Sequence, residues 1–274
     1  MHLVSITPTR GQRMLLALVP FLLLAVAYGV GSSMRLAENP DDRLLPALAT
    51  MTESFVGMAT EVDYRSGEVL LWSDTLASLQ RLLLGVGIAA LLALVLGTAQ
   101  GMLPVVGAPL SPFMSVLSMV PPMALLPILF ISLGVDELSK VALIVIGVAP
   151  VMVRDLEARV RELPREQTVK ALTLGASTWL LALRVVLPQV LPRLIDSVRL
   201  GLGSAWLFLI SAEAIASTEG LGYRIFLVRR YLAMDVIIPY VVWITLIAFV
   251  LDRLLRYANG RAFPWYARVQ GGGR

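Results

Sequence analysis

The feature that most limits what this chain can become is a series of long apolar stretches set apart by polar ones. A helix that crosses the hydrocarbon of a bilayer needs roughly 20 mostly apolar residues. Met14–Ser33, Leu82–Leu103, Leu110–Leu133, Leu138–Val153, Leu194–Ala216 and Val236–Leu251 are read as six such spans. In lipid each backbone N–H and C=O must find its partner inside the protein, so spans of this kind are helices. The predicted fold class is an all-α integral membrane protein with about six transmembrane helices. Composition agrees: 57% of the residues are hydrophobic and 15% charged, against about a quarter charged in soluble domains. Met14–Ser33 exceeds the roughly 7–15-residue apolar core of a cleaved signal peptide, which favours an uncleaved span.

Charge sets the orientation, because Lys and Arg collect on the cytoplasmic side of membranes. Arg10 and Arg13 precede the first span. Residues 34–81 hold eight acidic residues against four arginines and are read as external. Residues 154–193 hold seven basic against four acidic residues, and the tail carries five arginines against Asp252. Six spans place both termini and the 154–193 loop in the cytoplasm. The 217–235 segment, with Arg224, Arg229 and Arg230 against Glu219 and Asp235, runs against this rule. The expected organisation is an N-terminal span with an external acidic segment (1–81), a membrane core (82–260) containing the 154–193 loop, and a tail (261–274). Leu44–Met58 has helical apolar spacing and is read as lying along the membrane surface.

Some chemistry is poorly provided for. The chain has no cysteine, and its one histidine is His2. Thiolate and imidazole metal sites, and catalysis by Cys or His, therefore have little to work with. The two lysines, Lys140 and Lys170, follow Ser139 and Val169 and form no G-K-[ST] phosphate loop. The chain is expected to be no enzyme and to bind no metal or cofactor itself. Its basic residues sit in short segments between apolar spans, which argues against nucleic acid as a partner.

Within the spans, Gly97-x-x-x-Gly101 is a small-residue pattern that lets helices approach closely. Pro112, Pro121, Pro122 and Pro127 interrupt the third span. Proline removes a backbone donor and kinks a helix. In a membrane such breaks survive where protein or water satisfies the freed groups, so Pro121, Pro122 and Pro127 are candidates for the pathway or a gate. Arg199 is a further candidate, though pairing with Asp196 three residues earlier is the favoured reading. Glu213 lies roughly 21 Å beyond Arg199 on an ideal helix, with no basic residue within a turn. It lines the pathway, pairs with another helix, or holds a proton. Arg224, Arg229 and Arg230 read as a solvated face, and Gly220 and Gly222 as a turn.

The loop Pro164–Pro192 reads PREQTVKALTLGASTWLLALRVVLPQVLP. Pro164 suits a helix start. Val169, Leu172 and Ala176 form an apolar stripe, with Glu166 and Lys170 among the charges elsewhere on the turn. Gly175 is placed to end that helix in the left-handed conformation. Ser177 is placed to cap a second helix. Leu187-Pro188 and Leu191-Pro192 then punctuate the return to the membrane. This is either a surface hairpin joining two spans or a docking element for a cytoplasmic partner.

The loop resembles the signature E-A-A-x3-G-x9-I-x-L-P of ABC-importer permeases. Ala171, Gly175, Val185, Leu187 and Pro188 fall on the motif. Val169 stands where the family has Glu, and Lys170 where it has its first Ala. Asp74-Thr-Leu-Ala-Ser-Leu-Gln-Arg-Leu-Leu-Leu-Gly85 is similar to the S-L-x-R-x3-G run that opens the second span. Val120–Pro127 with Gly134 and Ser139-Lys140, Ser197–Gly203, Ala212-Glu213 and Gly220–Tyr223 resemble the nitrate/sulfonate/taurine branch. The resemblance implies the type I ABC-importer permease fold in a bacterial-type inner membrane. It also implies a second permease copy, two cytoplasmic ATP-binding subunits that hold ATP and Mg, and an external solute-binding protein. Residues 166–188 would then form the ATPase-coupling loop. The alternatives are an ion-coupled secondary transporter and a membrane scaffold without an ATPase.

Overall fold

A computed structural model describes residues 9–40, 42–64 and 66–271. His2, Asp41, Arg65 and Arg274 lie outside them. Among the described residues every regular element is helical: α1 (Arg10–Glu38), α2 (Leu48–Thr60), α3 (Leu70–Met102), α4 (Pro104–Leu117), α5 (Pro122–Leu133), α6 (Glu137–Arg161), α7 (Arg165–Thr173), α8 (Thr178–Ile215), α9 (Leu221–Val228), α10 (Met234–Ala262) and α11 (Pro264–Gly271). The chain divides into two compact units, one running to Val69 and including 228–242, the other comprising 70–227 and 243–274.

In the first unit α1 leaves its long apolar side chains exposed, as a lipid-facing helix does. Its C-terminal part is tied to the segment that follows. Tyr28 Oη donates to the Pro46 carbonyl at 2.8 Å, and Ser32 Oγ to that of Leu45 at 3.0 Å. The helix expected near Leu44–Met58 is α2, and Ser54 Oγ donates to Asp235 at 2.7 Å.

The second unit is built around α6, which packs along both α3 and α8. The α3–α6 seam depends on missing side chains. A Cβ at Gly97 would lie 2.8 Å from the Val153 carbonyl, and one at Gly101 2.5 Å from Val160 Cβ. Backbones approach at the Gly97-x-x-x-Gly101 face because nothing stands between them.

Among the described residues four helices (α1, α3, α8 and α10) are long and apolar enough to span a membrane, and α4 with α5 makes a fifth candidate bent by 95°. The expected fourth span lies within α6. Glu137, Lys140, Arg154 and Asp155 near the ends of its apolar stretch raise its charge above that of the others. Two helices begin earlier than the spans expected within them. Helix α3 starts at Leu70, ahead of Leu82, with Asp74 and Arg81 buried inside protein instead of facing water. Helix α8 is continuous from Thr178, so Pro188 and Pro192 do not interrupt it. A π turn at Ala182–Val186 precedes Pro188. Its wider winding accommodates a residue that has no N–H to give and a ring that would strike a regular turn.

Candidate transport site and coupling loop

On α3, Asp74, Ser78 and Arg81 are spaced i, i+4, i+7 and share one helix face. All three are buried. Arg81 Nη1 donates to Glu213 Oε1 at 2.8 Å and to the Glu219 carbonyl at 3.0 Å. Its Nη2 reaches Glu137 at 2.8 Å and Glu219 Oε1 at 3.3 Å, and its Nε also bonds Glu137. Glu213 is fully buried. It accepts from the Gly222 N–H at 2.8 Å, with Ser78 Oγ 2.8 and 2.9 Å from its two oxygens. Lys140 Nζ lies 2.8 Å from Glu137 and 3.2 Å from Ser217 Oγ. Asp74 accepts from the Gly220 N–H at 2.9 Å and Arg224 Nε at 2.8 Å.

Glu213 thus pairs with another helix, one of the three readings its sequence position allows. Arg224 belongs to this network and is not part of a solvated face, while Arg229 and Arg230 are exposed. The network clamps the Ser217–Leu221 turn onto α3. Gly220 has a φ of 119°, and a Cβ there would lie 2.6 Å from the Glu213 carboxyl carbon. Any other residue would drive a wedge into the ion pair. Sequence reasoning missed Asp74, Ser78 and Arg81 as one site, although their spacing along α3 was the available signal.

The elbow between α4 and α5 opens on a second feature. Pro121 precedes and Pro122 begins α5, so the break falls where the prolines placed it. Pro112 and Pro127 lie within helices. A cavity of about 440 Å³ adjoins the elbow, lined by Ser118 and Pro122, by Gly147 and Asp155 of α6, and by Ser197 and Ser204 of α8. Arg154 Nη1 donates to Ser118 Oγ at 2.7 Å. Of the pathway candidates only Pro122 is among its lining residues; Pro121 and Pro127 are exposed. Arg199 is held by Asp196 and Asp252, each at 2.9 Å. Asp196 also accepts from Tyr266 Oη at 3.0 Å.

At the far end of α6 and α8 from the ion-pair network, α7 ends in a Schellman motif. The Ala176 N–H bonds the Ala171 carbonyl and the Gly175 N–H that of Leu172, both at 3.0 Å. Gly175 has a φ of 82°. Ser177 Oγ then accepts from the Leu180 N–H at 3.2 Å and caps α8. Gln189 Nε2 ties the base of α8 to Gln167 at 2.9 Å. Glu166, Lys170 and Pro188 are exposed, while Ala171, Ala176, Val185 and Leu187 are half-buried. Val169 and Leu172 are 58% and 50% exposed. Leu174 and Trp179, at 79% and 72%, extend this apolar surface and were not among the expected loop residues.

Residues 85–263 match the family described as binding-protein-dependent transport system inner membrane component. The chain belongs to this family. It is 37% identical over 204 residues to the taurine transport system permease protein TauC of Escherichia coli, covering 74% of each chain. It is 30% identical over 190 residues to the bicarbonate transport system permease protein CmpB of Synechococcus elongatus, covering 69% of this chain and 68% of that one. Over 262 residues it is 26% identical to the putative aliphatic sulfonates transport permease protein SsuC of Bacillus subtilis, covering 93% and 88%. Its fold is shared with a chain of the MetNI methionine ABC transporter in an inward-facing conformation (TM-score 0.54, 19% identity, covering 67% of this chain and 92% of that one). As a member of this family the chain is a multi-pass inner-membrane permease of the ABC-importer type, a transport subunit.

Proposed function

We propose that this permease forms the membrane path for a small oxyanion-bearing solute of the sulfonate, taurine, nitrate or bicarbonate kind, and is driven by a separate cytoplasmic ATPase docked on the 164–192 loop. The observation that carries the docking is the exposed apolar row Val169, Leu172, Leu174 and Trp179, held by a turn that fixes the direction of both flanking helices. An amphipathic helix set in a groove is a common mode of protein recognition. Glu166, Lys170, Ala171, Gly175, Ala176, Val185, Leu187 and Pro188 form the frame around it. The working assembly pairs two permease copies with two ATP-binding subunits, which hold ATP and Mg, and with an external solute-binding protein. Both termini and the loop face the cytoplasm.

The taurine, bicarbonate and sulfonate relatives support the solute class. Transport then consists of biasing two conformations by ATP-driven closure of the partner.

The test is affinity purification of the full chain from membranes of its own cells, followed by identification of co-purifying chains and ATPase assay. An ATP-binding subunit should accompany the native chain. Gly175→Pro and Trp179→Ser should lose it, or lose its solute-stimulated hydrolysis. Uptake that continues without any ATPase would establish the ion-coupled alternative instead.

A further inference from the structure

Helix α3 carries a π turn at Ala93–Gly97 and α8 one at Ala182–Val186. Such turns interrupt the regular ladder and recur at functional sites. Beside them lies a cavity of about 600 Å³, lined by Gln100 of α3, Val160 of α6, Thr168 and Val169 of α7, and Leu181 and Val186 of α8. Gln100 has 1% of its surface exposed. Neither its amide nitrogen nor its amide oxygen has a hydrogen-bond partner among the described residues. A buried amide left unpaired is costly, so Gln100 has a partner to gain if the cavity closes. The 165–181 hairpin, made of α7 and the first turn of α8, borders this cavity between two joints. One is the Glu162–Pro164 turn after α6, the other the π turn of α8. The hairpin's own turn is held by the Schellman bonds and the Ser177 cap. In this structure Gln189 Nε2, beyond the second joint, donates to Gln167 Oε1 at 2.9 Å. Gln167 and Thr168 are neighbours on α7, about 100° apart around its axis.

We infer that the hairpin rocks between two positions, and that a hydrogen bond between Thr168 and Gln100 latches the second. The hydroxyl and the amide can each give and take a hydrogen bond. As the ATPase presses on the exposed row from Val169 to Trp179, the hairpin moves into the cavity. Gln167 leaves Gln189, and Thr168 reaches Gln100. The apolar walls at Val160, Leu181 and Val186 close on one another, and that burial favours the second position. An element with two discrete arrangements, each biased by a site, is what carries coupling through a packed structure. Gln100 belongs to the helix whose earlier turns hold Asp74, Ser78 and Arg81, so the latch ties the hairpin to the helix of the ion-pair network. The inference rests on the ATPase docking proposed above and supplies the movement that docking drives.

The chain has no cysteine, so pairs of thiols can be placed without background. Gln100→Cys with Thr168→Cys reports the second position, and Gln167→Cys with Gln189→Cys the first. Each full chain, purified with the subunits that accompany it, is treated with a short bis-maleimide, without nucleotide and with ATP plus vanadate. ATP should raise cross-linking of the 100–168 pair about fivefold or more, the lower end of typical ligand coupling, and should lower that of the 167–189 pair. In reconstituted vesicles Gln100→Leu should reduce solute uptake per ATP hydrolysed, and Gln100→Glu, which still accepts a hydrogen bond, should recover part of it. A packing role alone predicts the reverse order, with leucine tolerated and glutamate harmful. Cross-linking indifferent to ATP while an ATP-binding subunit is present, or that reverse order, overturns the latch and leaves the docking standing. A purified chain that brings no ATP-binding subunit overturns the docking, and the latch with it.

Discussion

Arg81 shows how a charge is kept inside a membrane protein. Its guanidinium faces Glu213, Glu137 and Glu219, and it also donates to the Glu219 carbonyl. A buried ion pair offers little net stability over apolar packing, but removing one partner strands the other at a cost of about 3–5 kcal/mol. Arg81→Ala and Glu213→Ala are therefore expected to lower the midpoint of thermal unfolding in detergent sharply. Glu137→Ala should do less to Arg81, since the Glu137 side chain is 59% exposed and Glu213 and Glu219 still face the guanidinium, although it also takes a carboxylate from the buried Lys140. A double variant lacking both Arg81 and Glu213 should be less impaired than the sum of the singles, because neither partner is left stranded. Additive losses would mean that the pair is not a unit. Glu213 could be read from sequence as needing a partner. The partner's identity was not legible, because Arg81 lies 132 residues earlier and only folding brings α3 beside α8.

The elements of the second unit are fixed by what is absent from them as much as by what is present. Replacing Gly101 by Val would push a branched side chain into Val160, whose Cβ lies 2.5 Å from the position of the new Cβ. The stiff seam has little room to yield, and overpacking of this kind costs about 1–3 kcal/mol or more. Gly101→Val should thus lower the unfolding midpoint, and Val160→Ala in the same chain should recover part of the loss. Gly175 is a different case. A Cβ there meets no atom within 4 Å, yet its φ is 82°. Gly175→Ala should cost about 1 kcal/mol through backbone strain alone, and Gly175→Asn less, because Asn tolerates the left-handed region. Limited proteolysis at Leu174–Ser177 would rank the three. Both glycines were legible, one from its four-residue repeat and the other from its place after an amphipathic stretch. The start of α3 was not, since Asp74 and Arg81 read as water-facing until their partners are known. The unbroken run of α8 was hidden as well, because a π turn leaves no clear mark in sequence.

For the molecule as a whole, orientation is the property most open to direct test, and the lack of cysteine makes the test clean. Tyr64→Cys places a thiol at a fully exposed position between α2 and α3, and Leu174→Cys places one on the 164–192 loop. In intact cells a membrane-impermeant maleimide should label the first and spare the second. Both should label after permeabilisation, and the opposite pattern would invert the topology. The general architecture followed from a few long apolar runs, because lipid permits so few backbone solutions. The 95° bend between α4 and α5 carries a consequence of its own. Each helix end there leaves backbone groups without intrahelical partners, and in a bilayer those groups must be met by protein or water. Water admitted to the elbow would bring the electrical potential of one bulk phase part-way into the membrane. The voltage drop would then be compressed into a layer thinner than the bilayer, and a charged solute passing the elbow would do most of its electrical work over that short distance.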